Sequence, residues 1–223
     1  MTLHSEGDEG GTHVRGGIFS FTAPAIEPDV DYLRWHLMDH MPEQYSLPGI
    51  VVGQRWIADG EYLDARLVAE GASGNVGNVV NYLVREPVVE TLDDFMSLGA
   101  RLSAAGRYPI ARPALQISAV RLLYRVAAPH VLVSPDAIPF RPHRGVLLLV
   151  EDRPSGDDAD WLAWIRREHL PELLLLDGVA GAWMFASAED WLPESSLWSE
   201  RRQYVTVVYV DGEPLSTAAT VTY

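Results

Sequence analysis

The chain has 223 residues, 48% hydrophobic and 22% charged, the profile of an ordinary globule. Its 17 basic residues are all arginine and it has no cysteine, which excludes lysine Schiff bases, thiolate nucleophiles, disulfides and cysteine-held zinc or iron–sulfur clusters. A formal net charge of −14 without a basic cluster is a poor match for nucleic acid or an anionic membrane, and no apolar run reaches the ~18 residues of a membrane-spanning helix.

Residues 1–13, acidic and Gly-rich with no apolar core of a signal peptide, are expected to form a disordered tail on a cytoplasmic protein. "GGIFSFT" (Gly16 to Thr22) reads as a strand, being β-branched and aromatic. A helix follows, capped by Asp29 or Asp31 and expected to end or kink near Met41 because of Pro42. Gly49 to Asp59 is a second strand and Val79 to Glu86 a third. Residues 60–77 between them read as an excursion, a lid over a cavity or a plug within it. Thr91 caps a helix reaching Arg107, and Ala114 to Val126 is a fourth strand. The order β-α-β-β-α-β over 14–127 is the ferredoxin-like pattern.

Residues 128–143, with four prolines, read as a linker containing a short strand at "HVLV". A second, shortened unit spans 144–223. It has strands at "GVLLLVED", "GVAGAWMFASA" and "RQYVTVVYVDG", and a helix capped at Asp157 or Asp158. Its last segment, "EPLSTAATVTY", takes no assignment. Laid over one another with Trp35 on Trp164, the two helices match. Asp29, Asp31, Leu33, Trp35, His40, Pro42, Glu43, Leu47 and Gly49 fall on Asp158, Asp160, Leu162, Trp164, His169, Pro171, Glu172, Leu176 and Gly178. A common helix–turn–strand geometry accounts for the shared Asp, Pro and Gly. It does not account for the His and Glu.

Successive residues of a regular helix are rotated by about 100°. On such a wheel Leu33, Leu37 and Met41 fall on one side and mark the buried arc. His40 lies within that arc and His36 at its edge. A polar ring buried there needs a partner or a cavity, since leaving it unpaired costs about 1–3 kcal/mol. Histidine is the natural proton carrier near neutral pH, so His40 is the candidate general acid/base and His36 a second proton carrier or hydrogen-bond donor. Glu43 is placed to orient or tune His40, to act as base, or to cap the turn. The two histidines also have metal-ligand spacing. Leu37 stands where an H-E-x-x-H motif needs glutamate, and no third ligand is near, so no metal is expected. Strand alternation puts Arg55 and Trp56 on opposite faces of one strand. Arg55, inside an apolar strand, suits a carboxylate, enolate or phenolate. Trp35, Tyr45, Trp56 and Tyr82 supply rings for a flat apolar ligand. His169, Glu172 and Trp183 are the candidates of the second unit.

The run "W-H-x-x-x-H-M-P-E-x-x-x-L-P-G-I", echoed by "W-x-x-x-x-H-L-P-E-x-x-x-x-x-G-V", resembles the EthD-like branch of the dimeric α+β barrel superfamily. The resemblance implies an α+β fold of two ferredoxin-like units pairing into an intramolecular barrel, as a monomer or homodimer. It implies a cofactor-independent enzyme on a small hydrophobic aromatic or polyketide-like substrate, by decarboxylation, dehydration, cyclisation or isomerisation. The first unit would be the active one, since Ile165 stands at the place of His36. Two alternatives follow: a haem-binding monooxygenase or peroxidase with His40 or His169 as axial ligand, and a non-catalytic small-ligand-binding module.

Overall fold

The computed structural model describes residues 13–24, 30–67, 72–108, 114–154, 156–191, 199 and 201–221. Asp29 and the tail as far as residue 12 lie outside them. Among the described residues the chain is α+β with seven strands. Val14–Thr22 and Ile50–Ile57 each pair antiparallel with Asn78–Arg85, as Gly145–Asp152 and Val179–Ser187 do with Gln203–Val210, and the chain forms two compact units.

The N-terminal unit comprises His13–Val120 with Ala188–Glu200. Strands β1 (Val14–Thr22), β2 (Ile50–Ile57), β3 (Asn78–Arg85) and the first part of β4 (Gln116–Ala127) lie in the order β2-β3-β1-β4. Tyr82 of β3 stands opposite Ile18 on one side and Gly53 on the other. The C-terminal unit comprises Arg121–Ser187 with Arg201–Tyr223. There the rest of β4 is followed by β6 (Val179–Ser187), β7 (Gln203–Val210) and β5 (Gly145–Asp152), with Trp183 opposite Val207 and Leu149 opposite Thr206. Alternation decides what each strand buries. Ile18, Val80, Tyr82 and Val84 turn one face of the N-terminal sheet to the helices, where Met41, Leu92, Leu98 and Leu102 complete a core. In the C-terminal unit Ala182, Met184, Tyr204 and Val208 pack likewise on Ile165, Leu170 and Leu173.

The first helix does not stop at Pro42. It runs as α1 (Val30–Trp35), a π-helical turn His36–His40, and α2 (Met41–Tyr45). A proline inside an α-helix withholds one donor and presses its ring on the carbonyl four residues back. Here the helix widens just ahead of the proline. Met41 N–H reaches back five residues to the His36 carbonyl, and Pro42 falls in the first turn of α2, where no N–H is needed. The C-terminal unit repeats the device. After α5 (Ala159–Trp164) comes a π turn, Ile165–His169, closed by Leu170 N–H to the Ile165 carbonyl, and then α6 (Leu170–Leu173), with Pro171 in its first turn. A π turn adds a residue to the helix and shifts the phase of all that follows. That overturns the regular wheel: His36 is only 6% exposed, His40 is half-buried, and Leu37, expected inside, is 50% exposed.

Other boundaries also moved. The helix expected from Thr91 is α4 (Val88–Ala104). The Glu86 carboxylate accepts from Val88 N–H, and the Thr91 hydroxyl bonds back to the Pro87 carbonyl instead of capping. "HVLV" forms no strand; Val131 N–H closes a turn on Ala128, and a 3-10 turn follows at Pro135–Phe140. The excursion after β2 holds α3 (Glu61–Asp64), and the Arg66 guanidinium ties it to the carbonyls of Gly74 and Val76. The unassigned C-terminal segment holds α7 (Pro214–Ala218), capped by the Glu213 carboxylate accepting from Ser216 N–H.

Gly49 fixes how β2 approaches α4. A Cβ there would lie 1.8 Å from Thr91 Oγ1. Gly49→Ala is expected to lower unfolding free energy by about 1–3 kcal/mol, the usual cost of overpacking. Thr91→Ala in the same chain should recover part of that loss, and urea denaturation of the two single variants and the double variant measures the coupling.

Candidate functional site

The helical segment 30–45 and the end of α4 meet over the N-terminal sheet, and rings gather between them. Trp35 stacks on His40 at 5.1 Å between centroids and 26° between planes. Tyr108 meets the His40 ring edge-on at 5.0 Å. His36 lies 5.3 Å from His40, on the inner side, with Tyr32 beyond it at 5.8 Å. The Arg55 guanidinium carbon sits 4.9 Å over the Tyr32 ring. His36 lies one turn after buried Tyr32, and the π turn brings Met41 back to that buried face while His40 stays at the rim.

The second wall comes from the way α4 ends. Gly106 has φ +69°, the left-handed conformation glycine adopts most readily. Gly106 N–H bonds to Ser103 and Arg107 N–H to Leu102, the paired bonds of a Schellman motif. The chain then turns Arg107 and Tyr108 towards the histidines. Trp35 Nε1 donates to the Arg107 carbonyl at 3.2 Å, and the Arg107 guanidinium pairs with the Glu43 carboxylate. Trp35, Asp39, His40, Glu43, Leu102, Gly106 and Arg107 enclose a cleft of about 230 Å³.

Electrostatics keeps both imidazoles neutral. Burial, with Arg55 and then His40 adding to it, depresses the His36 pKa to about 3. Burial lowers that of His40 too, against the opposing pull of Glu43. The Nδ1 atoms of both rings are buried and have no hydrogen-bond partner among the described residues. The same holds for the Tyr82 hydroxyl, whose ring lies edge-on to Phe95 at 5.3 Å and whose pKa burial raises. A neutral, half-buried imidazole at a cleft wall is suited to take a proton.

The expected residues therefore separate by depth. His40, Glu43 and Trp35 line the cleft; His36, Arg55 and Tyr82 stand outside its lining. Tyr45 covers Gly53, donating its hydroxyl to the Gly53 carbonyl at 3.2 Å. Any side chain at position 53 would collide with Tyr45, Met41 and Tyr82, each within 2.9 Å of where its Cβ would stand. Arg55 shares the Gly53 face of β2, so alternation puts Trp56 on the other face, away from the histidines. The excursion 60–77 contributes no described residue to the cleft lining. The site also takes in Tyr32 and Asp39, which share the helical segment of the histidines, and Arg107 and Tyr108, whose one sequence signal is the adjacent Gly106.

In the C-terminal unit His169 stacks on Trp164 at 5.1 Å and 24°, as His40 does on Trp35. Burial lowers its pKa, and Glu172 opposes this. Buried Ile165 fills the place of His36. Trp183 lies on the opposite face of β6 from Ala182 and Met184, and its Nε1 donates to the Pro135 carbonyl at 2.9 Å. Among the described residues, no three His, Asp or Glu side chains form a metal-binding group. No helix among them is long and apolar enough to cross a membrane.

No protein-family model matches the sequence, and no curated protein is found similar to it. Solved structures do resemble it. A provisionally named monooxygenase of Lactobacillus acidophilus NCFM is 10% identical with a TM-score of 0.51, over 93% of this chain and 81% of that one. A provisionally named monooxygenase of Fusobacterium nucleatum subsp. nucleatum ATCC 25586 is 10% identical with a TM-score of 0.50, over the same shares. The likeness is one of fold.

The His36 shift sets an acid dependence. The unfolded chain takes up a proton on this ring near pH 6.5, the ordinary histidine value, whereas the folded chain resists until about pH 3. His36 therefore supports the fold fully above about pH 6.5 and progressively loses that contribution as pH falls through the window below it. In His36→Gln the fall of Tm with acidification over that window should be shallower than in the wild type. NMR of the wild type should show the His36 ring signals constant between about pH 8 and about pH 5.

Proposed function

We propose that the chain is an enzyme of the dimeric α+β barrel type, EthD-like, acting without a cofactor on a small, largely apolar substrate with an acidic proton. The strand order β2-β3-β1-β4 with two intervening helical segments supports a ferredoxin-like first unit. The order β5-β7-β6 and the repeated π turn support a shortened second copy. The observation that carries the functional reading is the neutral His40 ring, held between Trp35 and Tyr108 at the wall of a cleft, with Nδ1 lacking a partner among the described residues.

A lowered pKa keeps His40 deprotonated in mildly acidic solution and makes it a weaker base. It therefore suits protons that are already acidic, those of a phenol, an enol or a β-dicarbonyl carbon, the groups of aromatic and polyketide-like molecules. The cleft's volume is below the ~300–1,000 Å³ typical of small-molecule sites, so a small molecule, or the reactive end of a larger one, enters it. In dehydration, cyclisation and isomerisation His40 takes the acidic proton; in decarboxylation the electron pair is released as carbon dioxide leaves, and protonated His40 returns a proton to the resulting anion. The electron pair stays on the substrate as an enolate or phenolate. Arg107 at the cleft wall faces that charge, and the positive charge of Arg55 acts from deeper in the unit. Trp35 supplies the flat face on which a ring stacks, and Glu43 holds Arg107 and favours the imidazolium that forms. His36, behind His40, stays neutral and serves as a hydrogen-bond donor.

The fold likeness to provisionally named monooxygenases favours a second outcome for the same anion, reaction with dioxygen; oxygen uptake during turnover distinguishes the two. Against a haem stand the small volume of the cleft and the packing of Trp35 and Tyr108 on the His40 ring. Haemin titration is accordingly expected to give no Soret shift.

Proton transfer is testable without the natural substrate. The wild type should accelerate deuterium exchange at the central carbon of acetylacetone above the buffer rate, with activity persisting below the ordinary histidine range. His40→Gln should lose about 100-fold or more of that acceleration, and His36→Gln a smaller part. Exchange by His40→Gln at the wild-type rate would sink the assignment.

A further inference from the structure

The C-terminal unit holds a larger cleft than the one beside His40, and the proposed reaction does not use it. It measures about 680 Å³, within the range of small-ligand sites, and is lined by Tyr124, Ala159, Leu162, Ala163, Arg166 and Arg167. Ala159, Leu162 and Ala163 follow the i, i+3, i+4 spacing of one helical face, and Arg166 and Arg167 lie in the π turn that follows. The two alanines leave room that larger side chains would fill, while Tyr124 on β4 provides an aromatic wall. The arginines add charge to this otherwise apolar lining. Arg167 Nε donates to the Ala163 carbonyl at 3.2 Å, leaving its terminal amino groups available, and neither arginine pairs with a carboxylate among the described residues. Arg107, Arg125, Arg141, Arg153 and Arg201 all have acidic partners, whereas Arg166 and Arg167, like Arg34, Arg85 and Arg101, have none among the described residues. Glu168 is the acidic side chain next in sequence, and it is exposed. In the first helix, the positions matched to the two arginines are Leu37 and Met38, so the cationic feature belongs to the second helix alone.

We infer that this cleft is a second ligand site, one that takes a small amphipathic carboxylate, its apolar body against Tyr124, Leu162 and the alanines and its carboxylate on Arg166 and Arg167. Guanidinium groups match a carboxylate by charge and by paired hydrogen bonds. The site is independent of His40 and stands whether or not the chain performs the proposed reaction.

Equilibrium dialysis of the full chain against naphthoate tests it, with methyl naphthoate as the uncharged control. Saturable naphthoate binding is expected, with methyl naphthoate at least ~10-fold weaker. The double variant Arg166→Gln/Arg167→Gln should bind naphthoate at least ~10-fold more weakly, and Ala163→Leu should abolish that binding. His40→Gln should leave it unchanged. Thermal unfolding by circular dichroism establishes that each variant is folded. The inference is overturned if folded wild type shows no saturable binding, if methyl naphthoate binds equally well, or if either cleft variant keeps wild-type affinity. It is overturned equally if His40→Gln, rather than the cleft variants, loses the binding.

Discussion

One hydrogen bond, from Met41 N–H to the His36 carbonyl, sets the geometry of the N-terminal site. It closes a turn one residue wider than an α-turn and lets the chain pass through Pro42 without breaking. In doing so it keeps Met41 on the buried face shared by Tyr32 and His36 while His40 remains at the rim. A regular helix would have left one histidine at the edge of the buried arc and committed Leu37 to the core. The observed helix instead leaves Leu37 half in solvent and gives the inner position to a polar ring. Single π turns of this kind recur at functional sites because they re-aim side chains without unfolding the helix around them.

The cost of this arrangement falls on the imidazoles. Their Nδ1 atoms are withdrawn from water with no partner among the described residues, so the protonated state is disfavoured and both rings stay neutral. The same burial makes both rings weaker bases and keeps them unprotonated below the pH at which an ordinary histidine takes up its proton. Glu43 works against the shift at His40 while committed to Arg107, so it tunes the ring through space. The C-terminal unit keeps the turn, the Trp–His stack and the proline but places Ile165 at the inner position. The turn is thus separable from the histidine pair: it is a way of building the helix, and the first unit adds a buried base to it.

Much of the fold was legible because strands announce themselves by alternation. The strand expectations all lie within a few residues of what is observed, apart from "HVLV", which lacks a partner strand and closes a turn. Helix ends were harder to read. Thr91 looked like a cap but bonds back to Pro87, and Pro42 looked like a stop but sits in a first turn. Both readings fail because the deciding hydrogen bond is invisible in residue identity. At the site, His36, His40, Glu43 and Trp35 could be read because they share one helix. Tyr108 and Arg107 could not, because a reversal after α4 brings them in from far along the chain. The helix expected from the sequence runs through Gly106 to Arg107, whereas α4 ends at Ala104 and the chain reverses at Gly106.

The anchor of Trp35 is a main-chain carbonyl, that of Arg107, whereas the partner of Glu43 is the same residue's side chain. Shape and charge at the cleft are thus delegated to different atoms of one residue. Replacing the guanidinium would alter which ions are welcome while leaving the indole fastened where it is. A lineage carrying this scaffold can therefore drift in its preference for charged or neutral guests without first having to rebuild the walls.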